Sequence, residues 1–106
     1  MNTNCQPKQY PRSKYRMLVQ TDWDFSVRFK GKLYSDYNFF LFFDSLEELD
    51  QIEILGPYGA PRNINTKCSE LVEAIKKIKQ NPHESFDTTG GNRGVYYVST
   101  EPGSFF

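Results

Sequence analysis

The chain has 106 residues, of which 13 are basic and 13 acidic, so a zero formal net charge provides no global attraction to nucleic acid or anionic membranes. This length fits one domain whose core needs no disulfide or metal staple. Cys5 and Cys68 do not form the dense, even pattern of a secreted disulfide scaffold, and no stretch resembles a signal peptide or a membrane span. These features predict a reduced, soluble, cytoplasmic protein with no membrane partner.

The first 14 residues differ in composition from the rest of the chain. They are polar, and they contain Pro7 and Pro11, which cannot join a sheet from the inside. We therefore expect a flexible or surface-draped arm at 1–14, followed by a single α+β domain at 15–106.

Apolar and polar residues alternate from Tyr15 to Phe29, which is the clearest strand signal in the chain. Fifteen residues exceed the usual strand length of about five or six. Two strands should therefore meet near 21–24 through a loop of three or five residues, or one strand should bend at a bulge. Trp23 would be a turn or edge aromatic that either caps the core or contacts a partner, with capping the preferred interpretation.

The densest apolar run is Tyr37–Phe43, which lies between Asp36 and Asp44. Its aromatic residues do not alternate with polar ones, so it predicts a central strand covered on both faces. The turn before it falls at Gly31 or at 35–36, and the sequence leaves both open. Because the two predicted helices cover only one sheet face, some phenylalanines should be exposed or covered by a second chain. The 37–43 region is thus a possible homodimer contact, with the exposed set of side chains left open.

A helical period follows, in which Leu46, Leu49 and Ile52 are spaced by three. Ser45 and Glu48 have the spacing of a capping box, which predicts a short helix from Ser45 to Gln51. Acidic residues in its first turn also suit the helix dipole. A brief strand at 53–55 should come next.

Two glycines and two prolines make 56–63 an irregular loop. Tyr58 and Arg62 are residue types enriched at binding hot spots, and the prolines should keep them ordered. An ordinary connection is the simpler interpretation.

The main helix is predicted from Thr66, as N-cap, to Gln80, because apolar residues recur at helical spacing and Pro82 ends the pattern. Cys68 lies on the apolar stripe and is predicted to be a core residue. Leu71 should be buried where this helix crosses the sheet.

A polar, glycine-rich loop at 83–94 precedes a β-prone segment at 95–100. The loop could form an anion nest, but a helix precedes it and a strand follows, so a hairpin or crossover is favoured. The final Phe105 and Phe106 should be tucked against the domain or offered to a partner.

The sequence contains little that supports catalysis. His83 is the only histidine and has no nucleophile at an identifiable spacing, and the two cysteines are far apart. The acidic cluster lacks the alternating ligands of a calcium loop. We therefore predict no metal and no cofactor.

Charge is segregated along the chain. Residues 8–32 contain seven basic and two acidic residues, whereas 36–53 contain six acidic residues and no basic one. A basic strand face with nearby tyrosines could bind nucleic acid. The candidate residues for that face are Arg16, Arg28, Lys30 and Lys32. The same charges could simply keep an edge strand soluble.

The predicted fold is α+β, with a mostly antiparallel sheet of four or five strands, one main helix on one face and one short helix beside it. The preferred function is a non-enzymatic inhibitor, immunity or adaptor-like module that docks on a protein partner, because catalytic groups are absent and segregated charge can steer association. The candidate partner-binding residues are Trp23, Tyr58, Arg62, Glu47, Glu48 and Asp50. The alternatives are a nucleic-acid-binding protein and a small enzyme with a pocket of carboxylates and tyrosines.

Overall fold

The structure is a computed structural model, and it describes residues 13–100. Most of the predicted arm at 1–14, including Cys5, and the predicted contacts of Phe105 and Phe106 lie outside the described residues.

The described chain contains seven strands, one α-helix and two 3-10 segments. The strands are β1 (Tyr15–Thr21), β2 (Ser26–Phe29), β3 (Lys32–Tyr34), β4 (Asn38–Phe43), β5 (Glu53–Leu55), β6 (Phe86–Asp87) and β7 (Arg93–Ser99), the helix is α1 (Ser69–Gln80), and the 3-10 segments are Leu46–Gln51 and Pro57–Gly59. All strand pairs are antiparallel. The first sheet has the order β4-β1-β7-β6 and the second has the order β3-β2-β5. The α+β prediction is confirmed, with two sheets of four and three strands in place of the single sheet expected.

The alternating segment forms two strands, but neither a hairpin nor one bent strand. The prediction of two strands is confirmed, but the predicted hairpin and the alternative of one bent strand were wrong, because β1 pairs with β4 and β7 whereas β2 pairs with β3 and β5. A tight turn, in which the Asp24 amide donates to the Thr21 carbonyl at 2.9 Å, sends the chain from one sheet into the other. The alternation continues through the turn because both strands bury their odd-numbered apolar side chains in one core, as at Met17 and Val27.

The aromatic run forms β4, and its predicted place at the buried centre was wrong. Among the described strands, β4 is at the edge of the first sheet, and β1 and β7 are central. Phe39, Leu41 and Phe43 face the core, whereas Phe40 on the opposite face is 41% exposed. An apolar run without alternation predicts burial on both faces, but the described chain packs its helix and core cluster on one of them.

Of the two candidate turns, the one at Gly31 closes a hairpin, between β2 and β3. Lys30 and Gly31 have φ angles of 52° and 79°, and they close the hairpin between β2 and β3. This is the two-residue turn whose twist matches antiparallel strands. The chain from 32 to 43 is nevertheless not one strand, because β3 and β4 belong to different sheets.

The main helix begins two residues later than predicted. Its N-cap position is Cys68, and the Thr66 hydroxyl accepts a hydrogen bond from the Asn63 amide at 3.0 Å. The local turn at 63–66 therefore uses the hydroxyl that we had expected to cap the helix. The predicted stripe is confirmed, since Cys68, Leu71 and Ile78 are buried in the cluster that holds residues of both sheets.

The predicted short helix is the 3-10 segment Leu46–Gln51, with Ser45 at its N-cap position. The expected capping box is only partly formed. The Glu48 carboxylate accepts from the Asp44 amide at 3.1 Å, one residue earlier than the capping box requires, and from the Ser45 hydroxyl at 3.4 Å.

The loop at 83–94 contains a strand that the sequence did not predict. β6 pairs with β7, so the loop is a hairpin, and β7 begins at Arg93 instead of residue 95. Two residues are too few for alternation to be recognised.

Candidate functional site

Three aromatic side chains that are distant in sequence lie together on the surface. The Trp23 ring is 6.0 Å from Tyr37 and 6.2 Å from Tyr58, between ring centroids, and it is stacked on Tyr58 with an interplanar angle of 23°. Trp23 is 49% exposed and Tyr58 is 70% exposed. We call Trp23, Tyr37 and Tyr58 the aromatic patch. Trp23 therefore does not cap the core.

A buried hydroxyl holds the Trp23 side of the patch. Thr21 is fully buried, its Oγ1 accepts from the Trp23 amide at 3.1 Å, and the same oxygen lies 3.1 Å from the carbonyls of Asp36 and Tyr37. The Thr21 amide also donates to the Tyr37 carbonyl at 2.8 Å. The turn that presents Trp23 is thus tied directly to the residue that presents Tyr37.

A second buried hydroxyl holds Tyr58. The fully buried Ser26 donates to the Gly56 carbonyl at 2.7 Å and accepts from the Gly59 amide at 2.9 Å. The Ala60 amide closes a turn on the Pro57 carbonyl at 3.0 Å. Both hydroxyls belong to the segment that connects the two sheets, so the patch lies at the sheet junction.

The backbone of the patch is in an unfavourable region. Asp22 has a φ angle of 53°, which aspartate tolerates, but Trp23 and Tyr58 have φ angles of 61° and 56°, which is left-handed space that bulky side chains rarely occupy. Each such residue costs about 1–2 kcal/mol. The hydroxyl contacts described above supply the constraint that keeps these residues in place.

The remaining loop residues extend the surface beside the patch. Pro57, Arg62 and Ile64 are exposed, and Ile64 is 97% exposed. Arg62 makes no ion pair within residues 13–100. Leu33 lies against Gly59, where an added Cβ would come within 3.1 Å of Leu33 Cδ2. A cavity of about 250 Å³ adjoins the loop, lined by Asp24, Pro57, Asn63, Asn65, Thr66 and Lys67.

An ionic network borders the patch. The Arg93 guanidinium lies 2.7 Å from Asp24, 3.2 Å from Glu70 and 3.8 Å from Asp22. The hydrogen bond to Glu70, with further help from Asp24, raises the pKa of Arg93, although burial opposes it. Burial opposes ionisation of Glu70, but hydrogen bonds to backbone and to Arg93 keep its pKa below the ordinary value. Arg93 thereby joins β7, the Trp23 turn and α1.

The predicted acidic contact residues do not join the patch. Glu47, Glu48 and Asp50 lie in the 3-10 segment beyond the far end of β4, about 20 Å from Tyr37 at the usual rise per strand residue. Glu48 forms an ion pair with Lys30, and Asp50 pairs with Lys79 at 2.6 Å. The Lys30 hydrogen bond is the main reason why the pKa of Glu48 is lowered. Of the six predicted partner residues, Trp23 and Tyr58 are in contact, and Arg62 lies in the same loop as Tyr58.

The basic residues do not form one surface. Arg28 pairs with Glu53 at 3.0 Å, Lys30 pairs with Glu48, and Lys32 lies 5.0 Å from the centre of the Tyr34 ring. Arg16 lies on the first sheet, away from the other three. The segregation of charge along the chain becomes pairing in space, which gives the nucleic-acid hypothesis no support. It stays a prediction, testable by probe binding at low salt.

A second surface is the outer face of the first sheet, opposite the core. The residues that point to it are Arg16, Leu18, Phe40, Phe42, Tyr96 and Val98. Phe40 is 41% and Tyr96 43% exposed, and the Phe40 and Phe42 rings are stacked at 5.9 Å. With Arg16 they line a shallow cavity of about 170 Å³.

The groups proposed for catalysis are not gathered in a cleft. His83 is exposed, Glu84 accepts from the Asn81 side chain at 3.2 Å, and Arg93 belongs to the network at the patch. Within residues 13–100, no three His, Cys, Asp or Glu side chains are arranged to hold a metal ion.

Comparison of the chain with protein-family models, curated proteins and solved structures finds no match. No helix in the described part of the chain could cross a membrane.

Sequence reasoning missed three residues of the site. The sequence predicts Tyr37 in the buried strand, Thr21 in the turn at 21–24 and Ser26 on a strand, and it indicates a contact role for none of them. The proximity of Thr21 to two aspartates and a tryptophan indicated a turn, but no local signal connects that turn to Tyr58, 35 positions later.

Proposed function

We propose that the protein is a non-enzymatic binding module that docks on a protein partner through the aromatic patch, as an inhibitor, immunity or adaptor-like protein. The observation that carries the proposal is the exposure of Trp23 and Tyr58 on left-handed backbones, each held by a buried hydroxyl.

Folding alone does not account for this arrangement. An exposed aromatic ring contributes little to the stability of the fold, because little of its surface is buried, and the left-handed backbone lowers that stability. Glycine or asparagine at these turns would make the fold more stable. Tryptophan and tyrosine are the residues that dominate binding energies. Because the rings are already ordered, they lose less conformational entropy when a partner docks.

The proposal is tested by placing a photo-crosslinking amino acid at position 58 and, as a control, at the exposed position 76 of α1. We expect a defined adduct at 58 and none at 76. The partner identified in the adduct is then purified and titrated with the wild type and with Tyr58→Asn. The variant should bind it at least about tenfold more weakly, because asparagine suits the left-handed backbone but lacks the ring.

The matched control for that titration is Tyr96→Asn, which removes an exposed ring from the outer face instead. Equal binding of wild type and Tyr58→Asn, or equal adduct yields at 58 and 76, would refute docking through the patch.

We further propose that the outer face forms a weak homodimer contact beside β4. Phe40 and Tyr96 are both more than 40% exposed there, together with the partly buried Leu18, Phe42 and Val98. A two-fold axis would place this one face against itself. The face measures roughly 400 Å² per copy from strand spacing, and two copies bury less than the usual minimum of about 1,200 Å². The dimer should therefore be concentration-dependent.

Sedimentation equilibrium from about 10 μM to about 1 mM tests this contact. The average mass should rise with concentration for the wild type and stay monomeric for Phe40→Ser. Leu33→Ser is the control, because Leu33 is 40% exposed at another surface. A monomeric wild type across the whole range would refute the dimer.

A further inference from the structure

Carboxylates surround the aromatic patch. Asp22 and Asp24 flank Trp23 in its turn, and Asp36 precedes Tyr37. The Asp36 carbonyl lies 3.1 Å from Thr21 Oγ1, so this residue is adjacent to the Trp23 turn in space as well as to Tyr37 in sequence. Asp36 is exposed, and its carboxylate makes no ion pair with any residue of the described chain.

Two of these three carboxylates already have a cationic partner. The Arg93 guanidinium lies 2.7 Å from Asp24 and 3.8 Å from Asp22, and it also contacts Glu70. Among the flanking carboxylates, Asp36 is therefore the one without an ion pair in the described chain, and it is exposed beside the patch.

We propose that the segment of the partner that docks here presents an arginine, whose guanidinium stacks on Trp23 and pairs with the Asp36 carboxylate. This inference depends on the proposed function and specifies the chemistry of the partner. A planar guanidinium can stack on an indole face while its edge donates to a carboxylate, which a lysine ammonium cannot do in the same way. An acidic segment would be repelled by Asp36, and a neutral proline segment would leave that carboxylate desolvated without a partner.

Trp23 is the only tryptophan, so its fluorescence reports the site directly. The protein is titrated with four blocked peptides of equal length, which alternate glycine with arginine, lysine, glutamate or proline. We expect the arginine peptide to change the emission at the lowest concentration, and the effect to weaken as salt rises, because the contact is partly electrostatic.

Variants then test the ion pair and the stacking contact. Asp36→Asn removes the carboxylate, and Tyr58→Asn removes the ring that stacks on Trp23 and supports it, because replacing Trp23 itself would remove the fluorescent probe. Each variant should weaken binding of the arginine peptide about 3- to 10-fold, the range of an exposed ion pair or a partly desolvated cation–π contact. Glu47→Gln removes an exposed carboxylate far from the patch and should leave binding unchanged. Thermal unfolding of each variant confirms that it is folded.

The inference is overturned if the glutamate or proline peptide binds as tightly as the arginine peptide, if Asp36→Asn has no effect, or if no peptide changes the emission up to about 5 mM. These results would leave the proposed function intact when position 58 still crosslinks to a partner. Absence of the crosslink together with arginine-peptide binding would instead refute protein docking and preserve the arginine site.

Discussion

Two hydroxyl groups define this surface at the scale of single residues. Thr21 and Ser26 are fully buried, and each serves a turn whose aromatic side chain points outward. A buried hydroxyl without a partner would cost about 1–3 kcal/mol, so these contacts favour the two turns over alternative conformations. The rings of Trp23 and Tyr58 are therefore positioned by groups that are themselves buried beneath the surface.

Glu48 leads to a prediction about pH. Its side chain is 17% exposed, it pairs with Lys30, and its pKa lies below the ordinary value of 4.5. The folded state therefore holds the proton less tightly than the unfolded state, so the contribution to stability is complete above pH 4.5 and is lost as pH falls through the lowered folded pKa. Glu48→Gln should lower the free energy of unfolding at pH 7 by about 1 kcal/mol.

Urea denaturation at several pH values measures this effect. Between about pH 5 and pH 3 the stability of Glu48→Gln should fall less steeply than that of the wild type. Glu47→Gln, at the exposed neighbour, is the control and should follow the wild-type curve. The prediction would be contradicted if the free energy of unfolding fell equally steeply with decreasing pH for the wild type and for Glu48→Gln.

At the scale of elements, the hairpin of β6 and β7 depends on one close approach. A Cβ at Gly94 would lie 2.5 Å from the Thr88 carbonyl oxygen, which is inside any permitted contact. The Thr88 amide donates to the Val95 carbonyl at 2.8 Å, and the Thr88 hydroxyl accepts from the Val95 amide at 2.9 Å. The two strands can approach this closely only because residue 94 has no side chain.

Gly94→Ala should therefore lower the free energy of unfolding by about 1–3 kcal/mol, because the hairpin must open to admit the methyl group. Gly90→Ala is the matched control in the same hairpin, since nothing lies within 4 Å of its Cβ position. It should range from no change to about 1 kcal/mol of stabilisation. Equal effects of the two substitutions in chemical denaturation would show that the close approach is not a constraint.

At the scale of the molecule, two sheets and one helix share a single core. The buried cluster contains Met17 and Leu41 from the first sheet, Val27 and Phe29 from the second, and Leu71 from α1. Neither sheet alone can exclude water from these side chains. We therefore expect the sheets to unfold together.

This expectation is tested with two probes of unfolding, the fluorescence of Trp23 at the sheet junction and far-ultraviolet circular dichroism. The two transitions should coincide. Leu71→Ala should lower the free energy of unfolding by about 2–5 kcal/mol in both probes, because Leu71 is fully buried. Lys76→Ala, on the exposed side of α1, should stay within about 0.5 kcal/mol of the wild type. Transitions that separate would show that the sheets are independent units.

The local patterns of the sequence determined most of the elements. Alternation predicted β1 and β2, helical spacing predicted the buried stripe of α1, and glycine at position 31 marked one of two possible turns. These features depend on neighbours a few positions apart, which periodicity records. Periodicity did not predict the short β6 or the late start of α1, because a two-residue strand and a turn closed by a side chain produce no periodic pattern.

Tertiary structure alone decided how the strands are shared between two sheets and which residues form the candidate site. The sequence by itself selected Trp23 and Tyr58 as contact candidates, but their grouping with Tyr37 depends on hydrogen bonds that join Thr21 and Ser26 to residues distant in sequence. It also suggested opposed charged patches, which folding converts into the pairs of Lys30 with Glu48 and Arg28 with Glu53. Local sequence determines which secondary structure a segment can form, because that depends on residues a few positions apart. Contacts between distant segments determine which segments pack together, and the proposed binding surface depends on those contacts.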